Sequence, residues 1–211
     1  MGVWKELLFP RRCLFCRQVL RPDTGQVCRD CENRLTAVDG SRTGQNFSVC
    51  WTAMSYEGTV RDAILRFKFQ DQPDYAGPLG QILGSCIERR LVGRFDRITW
   101  VPVSPRRRRQ RGYDQAELLA RSAADRLHAE AVSTLVKNRD NPAQSSLEDA
   151  ALRQQNVRGA YQVTDPALVR GARLLLIDDI ITTGSTLDEA AGILRAAGAA
   201  DVVAAALAQP V

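Results

Sequence analysis

Two hydrophobic periods alternate along this chain. Residues 47–56, FSVCWTAMSY, alternate loosely and are rich in strand formers, which predicts a first strand. In TVRDAILRFK, 59–68, the apolar residues Val60, Ile64, Leu65 and Phe67 fall at helical spacing. A second helix fits YAGPLGQILGSCIERRLV, 75–92, and RITWVPVS, 97–104, reads as a strand ending in a proline-bearing loop. A helix is expected over 113–128, whereas the polar segment 138–162 fits no element. ARLLLIDDI, 172–180, is an apolar strand that runs into two acids. STLDEAAGILRAAGA, 185–199, predicts a helix closed by Gly198, and DVVAAALA, 201–208, a last strand. Strands alternating with helices predict an α/β fold, a mostly parallel sheet with flanking helices on both faces. Such sheets bind ligands beyond the carboxyl ends of their strands, where Ser104, Asp178 and Asp179 fall.

The first 46 residues follow neither period. Cys13-x-x-Cys16 and Cys28-x-x-Cys31 stand eleven residues apart, with Pro, Asp and Gly between them to turn two short ribbon strands. Four thiolates at this spacing suit one structural Zn2+, since they leave no open coordination position. The other reading is two redox pairs or structural thiols. A segment this short buries little core, so metal binding would supply its stability. Residues 36–46, TAVDGSRTGQN, are small and polar and read as a linker. The expected organisation is a zinc-binding module over 1–35, a linker over 36–46 and an α/β domain over 47–211.

Composition narrows the possibilities only slightly. A chain of 211 residues with 45% hydrophobic and 25% charged residues is an ordinary globular protein, which excludes global disorder. The net charge of +5 favours anionic partners such as phosphates or nucleic acid. No signal peptide, myristoylation pattern or run of ~20 apolar residues is visible, so a cytoplasmic protein without membrane insertion is expected. His128 is the only histidine, and a helix end suffices to explain it, which disfavours a Ser-His-Asp hydrolase.

The chemistry concentrates in LLLIDDIITTGST, 174–186. A small-residue loop opening onto a helix N-terminus can cradle an anion on its backbone N–H groups, with Thr and Ser hydroxyls as further donors. Asp178 and Asp179 precede the loop and could accept hydrogen bonds from sugar hydroxyls. The order suits a ribose phosphate. The blander reading is a buried strand and a helix capped by Ser185 or Thr186. A Mg2+ site of an NTPase would need a Walker A motif, and the chain contains none.

The thirteen residues 174–186 resemble the phosphoribosyl diphosphate (PRPP) motif of type I phosphoribosyltransferases. Several further stretches narrow the resemblance to the ComF/GntX family. They are the double CxxC, Lys68-Phe69, Val101-Pro102-Val103, Arg111-Gly112-Tyr113-Asp114-Gln115, and the series Arg139, Gln144, Leu147, Arg153, Asn156 ending in Gly159-Ala160-Tyr161. Asp114 and Asn141 depart from the family's usual Asn and Thr. The resemblance implies a zinc finger followed by a phosphoribosyltransferase domain that binds PRPP with Mg2+. It places the ribose hydroxyls on Asp178 and Asp179, and the ribose phosphate on Thr182, Thr183, Gly184, Ser185 and Thr186. Ser104 would sit near the diphosphate, and 138–156 would form a flap. It also implies a role in natural transformation, with single-stranded DNA and a DNA-uptake helicase as partners.

Three uses of the fold stay open at this point: a PRPP-dependent transferase, a non-enzymatic DNA or helicase adaptor, and a zinc-held scaffold with a relic site. Lys68 is either a charged helix tip or a diphosphate contact. Arg106, Arg107, Arg108, Arg109 and Arg111 form either a solvated face or a phosphate-facing patch, with Tyr113 available to stack on bases. Trp51, Phe67 and Trp100 read as core, and Trp4 and Phe9 as packing for the zinc module or a partner.

Overall fold

A computed structural model of the chain describes residues 10–21, 24–35, 40–138 and 159–210. Its centre is a five-stranded sheet in the order β1-β2-β7-β6-β3, formed by Ser41–Arg42, Cys50–Ser55, Asp201–Gln209, Arg173–Ile180 and Arg97–Trp100. Only the β1–β2 pair is antiparallel. A separate antiparallel pair joins β4, Leu135–Lys137, to β5, Tyr161–Val163.

The period-two rule explains why β6 reads as unbroken leucine. Leu175 and Ile177 point into one core, with Leu79, Leu83 and Leu119, whereas Leu174 and Leu176 enter a second, with Leu187, Ala190 and Leu194. The strand is buried on both faces until its acids, so alternation has no polar side to mark.

Helices α2, Gly58–Phe69, α3, Ala76–Arg90, and α5, Gln115–Leu127, follow the predicted positions. Two differences concern the site. The stretch 105–111, expected as loop, is a short helix α4, Pro105–Arg111. Pro105 suits a first helical turn, and the Ser104 hydroxyl caps it by accepting the Arg107 N–H at 3.4 Å. Strand β3 accordingly stops at Trp100. Helix α6, Ser185–Ala196, starts directly from the small-residue loop.

α3 and α5 approach closely because Gly80 lacks a side chain: a Cβ there would lie 2.4 Å from the Ser122 Cβ and 3.2 Å from the Leu119 carbonyl. His128 ends α5 in a left-handed conformation, φ 50°, with its N–H on the Ala124 carbonyl. That is a helix-terminal role, as expected.

The four cysteine sulfurs lie within 4.8 Å of one another, with Cys16 Sγ and Cys28 Sγ 3.6 Å apart. With metal–sulfur bonds of about 2.3 Å, this spread accommodates one tetrahedral ion. The expected ribbon strands reduce to one antiparallel bridge, Arg12 to Val19, and Cys31 sits on a short helix α1, Arg29–Arg34. The module docks on α2: Arg66 Nη2 donates to the carbonyls of Leu14 and Phe15 at 2.9 and 2.7 Å, and Arg17 to Tyr75 Oη at 2.7 Å.

Residues 36–39 and the first nine residues, with Trp4 and Phe9, lie outside the described residues. The second half of the expected linker is tied into the domain: Ser41 and Arg42 pair with Trp51 and Cys50, and Asn46 bonds to Asp188.

Two predictions follow from packing and metal content. Gly80→Val should lower unfolding free energy by about 1–3 kcal/mol, read from urea denaturation, because the helices must separate to admit it. Metal analysis of the purified protein should give one zinc per chain, and Cys31→Ser should lose the metal together with cooperative unfolding of the module.

Candidate functional site

Asp178 and Asp179 stand on the last turns of pleat in β6, where burial of the strand gives way to partial exposure. Asp179 carries an ion pair: Lys68 Nζ lies 2.8 Å from Oδ2, with both side chains only 15% exposed. The lysine arrives from the last turn of α2. Asp178 Oδ1 accepts the Asp179 N–H at 2.8 Å. Burial, with the neighbouring Asp179 charge second, holds the Asp178 carboxyl well above the usual carboxylate range. The two acids thus differ in character: Asp179 is salt-bridged, whereas Asp178 resists ionisation.

Beyond them the chain turns through Ile181, whose N–H donates to the Ala208 carbonyl, into the loop. Gly184 has φ 84° and forms the left-handed corner at the start of α6. Thr183 Oγ1 and Ser185 Oγ are 2.8 Å apart, and the Ser185 N–H reaches Thr183 Oγ1 at 3.4 Å. The backbone N–H groups of Thr182, Thr183 and Gly184 donate to no group among the described residues. Asp178, Ile180, Thr182, Thr183, Ser185 and Thr186 line a shallow, solvent-open recess. Three successive amides without an acceptor among the described residues, a helix N-terminus and hydroxyls are donors of the kind that a tetrahedral oxyanion requires.

The segment after β3, the strand next to β6, carries further buried polar residues. Ser104 is buried and spends its hydroxyl on capping α4. Asp114 is also buried: Oδ2 accepts the Val103 N–H at 2.8 Å, and Oδ1 accepts those of Ala116 and Glu117 at 3.0 and 3.2 Å. Burial raises its carboxyl to about 6 against these donors. A residue with two acceptor oxygens suits this post, which ties the loop after β3 to the start of α5.

Arg111 lies flat over the Phe69 ring, 4.8 Å from its centroid, and donates to Gln115 Oε1 at 2.9 Å. Burial lowers its pKa and the Asp179 charge opposes this, so the guanidinium belongs to the acid side of the site. Tyr113 does not face outward: it stacks on Phe67 and donates its hydroxyl to the Phe67 carbonyl. The exposed ring is Phe69, 64% accessible.

Arg108 pairs with Glu117 at 3.2 Å, while Arg106 and Arg109 are exposed and make no polar contact among the described residues. The expected flap lies, from 139 to 156, outside the described residues. The structure therefore brings together Asp178, Asp179, Lys68, Arg111 and the loop, with Ser104 on the adjoining strand end.

Sequence reading marked Tyr161 only as the end of a family stretch and found no signal for Lys137, Arg42 and Asn46. Burial, with the nearby Asp178 second, drives the phenol pKa of Tyr161 up, and Lys137 Nζ lies 3.4 Å from its hydroxyl. Arg42 and Asn46 reach the loop and α6 from the segment read as linker. Short polar segments give no periodicity, so only the fold reveals them.

Because the folded state raises the Asp178 pKa, it holds that proton more tightly than the unfolded chain does. Stability contributed by the protonated group is present at low pH and falls as pH climbs through the window above the usual carboxylate range. Asp178→Asn should therefore gain stability relative to wild type as pH rises from about 4 to about 8, measured by denaturant unfolding.

Residues 114–210 match the phosphoribosyl transferase domain family, and residues 4–43 the double zinc ribbon domain family. The chain is 32% identical to DNA utilization protein YhgH of Escherichia coli K12, over 93% of this chain and 96% of that protein. Competence protein F of Haemophilus influenzae is 25% identical, over 92% of this chain and 95% of its own length. Competence protein ComFC of Bacillus subtilis is 28% identical, over 89% and 79%. A near full-length match to such relatives, carrying a zinc ribbon and a phosphoribosyltransferase domain in that order, places the chain in the ComF family.

Proposed function

We propose that this protein binds PRPP with Mg2+ at the 174–186 motif and uses the site in DNA uptake during natural transformation. The observation that carries the reading is the run of three amides, Thr182 to Gly184, that donate to no group among the described residues, beside an acid pair at the end of β6. The amides and the hydroxyls of Thr183, Ser185 and Thr186 would take the 5-phosphate. Asp178 and Asp179 would accept the ribose hydroxyls, with Lys68 holding the Asp179 side chain in place.

Ser104 would act through the helix it caps, and Arg111 would face the diphosphate side. Asp179 already has a cation, which suits an ion arriving on the ligand better than one resident on the acids. Mg2+ there would neutralise charge on the departing diphosphate. An oxocarbenium-like transition state needs such charge stabilisation and exclusion of water more than a nucleophilic side chain. If ribosyl transfer occurs, these are the groups that carry it.

The DNA side of the reading rests on α4 and on the relatives named for DNA utilization and competence. Arg106 and Arg109 are exposed cations suited to phosphates, and Phe69 offers a ring face for a base. A helicase that passes the strand inward is the protein partner this role requires.

Calorimetric titration of the zinc-loaded protein with PRPP and Mg2+ tests the first half. Wild type should bind, and Asp178→Asn with Asp179→Asn should weaken binding by tenfold or more, roughly 1.4 kcal/mol. Unchanged binding by the double variant would falsify the placement of the ribose. For the second half, the affinity for a labelled single-stranded oligonucleotide should fall with salt. Arg106→Ala with Arg109→Ala should shrink the log–log salt slope by about 1.4, at ~0.7 per phosphate contact. A slope that does not change removes α4 from the DNA path.

A further inference from the structure

An anion cradle works only if its carbonyl oxygens point away from the anion. In the loop after β6, one side chain enforces this from outside. Arg42 Nη1 donates to the Thr182 carbonyl at 2.6 Å, and its Nε donates to Gln209 Oε1 at 2.8 Å. A guanidinium fork fixed at both prongs leaves that carbonyl little freedom. Across a trans peptide plane the C=O of one residue and the N–H of the next point in opposite directions. Drawing the Thr182 carbonyl toward Arg42 therefore turns the Thr183 N–H away from it. That N–H is one of the three without an acceptor, and Thr183 lines the recess.

A second brace grips the far side of the cradle. Asn46 donates from its backbone N–H and from Nδ2 to the two carboxylate oxygens of Asp188, each at 2.9 Å, in the first turn of α6. The fit is close. A Cβ on Gly44 would lie 2.4 Å from the Phe47 ring and 2.5 Å from Asp188, and one on Gly192 3.1 Å from the Asn46 amide. Both ends of the loop are thus held by five residues, 42–46, that lead in from the zinc module.

We infer that Arg42 is a positioning residue of the phosphate cradle: by holding the Thr182 carbonyl outward it presents the Thr183 amide to the ligand's phosphate. The inference rests on the ribose-phosphate reading above. It assigns a site function to a segment that precedes the whole of the matched phosphoribosyltransferase region.

The test uses full-length zinc-loaded protein as wild type, Arg42→Met and Arg42→Lys, with ribose 5-phosphate as the probe and amide NMR as a second readout. Arg42→Met should bind ribose 5-phosphate about tenfold more weakly. Its Thr183 and Gly184 amide signals should already be displaced in the ligand-free protein. Arg42→Lys, which can reach the Thr182 carbonyl but lacks the second prong, should recover part of the affinity. It also serves as the probe if Arg42→Met does not fold.

Equal binding by wild type and both variants overturns the inference while leaving the ribose-phosphate reading intact. Weakened binding with unmoved ligand-free amides also overturns it, since that pattern marks simple charge attraction. Failure of wild type to bind either ribose 5-phosphate or PRPP removes the underlying reading itself, and the inference with it.

Discussion

Two carboxylates side by side at the end of a buried strand repel each other and lose hydration, and one lysine makes the arrangement tolerable. Lys68 reaches Asp179 because α2 ends just above the sheet, and α2 is held there by Phe67 and Ile64 in the core. Asp178 receives no cation of its own, only the Asp179 amide, and so resists ionisation. The asymmetry matters chemically. With Asp179 paired to Lys68 and Asp178 inclined to keep its proton, the two acids carry little net charge beside the loop. The flanking groups preserve this balance: Arg111 leans on Phe69 near the acids, and Tyr161 stays protonated beneath them.

The sheet is built so that these ends meet. β7 carries alanine at 204, 205, 206 and 208, all buried, and the small side chains let helices settle close on both faces. β6 pairs with β3 on one side and β7 on the other, which brings the Ser104 turn and the acid pair to one edge of the same surface. α4 leaves Arg106 and Arg109 exposed, while Arg111 at its end lies on the acid side. The buried Asp114, with three N–H donors, fixes the joint between α4 and α5.

Most of the architecture was legible because burial writes itself into hydrophobic period. The strands at 173–180 and 201–209 and the helices at 58–69 and 115–127 could be read that way. The acid pair and its loop stood out for a different reason, since two acids followed by small hydroxyl residues break the apolar run of β6. The rest was hidden where capping overrides periodicity. Ser104 and Pro105 start a helix within an arginine run that has no apolar face, so no pattern announced it. Tyr113 looked free to stack on a base because its sequence neighbours are polar, yet its ring lies on Phe67. Arg42 and Asn46 are each tied in by two long-range hydrogen bonds, which leave no trace in neighbouring residues.

The docking of Arg66 on Leu14 and Phe15 has a consequence for how this chain can be divided. Arg66 and Lys68 sit two residues apart on one helix, one gripping the cysteine module and the other the acid. A fragment starting at residue 47 would keep the whole matched phosphoribosyltransferase region. It would also bare the apolar patch that Leu14 and Phe15 cover and leave a guanidinium without its carbonyl acceptors. Losing β1 would turn β2 into an open edge, a row of unpaired backbone groups free to add strands from another molecule. The short N-terminal part thus acts as an edge guard, and the excised remainder is the piece most prone to aggregate.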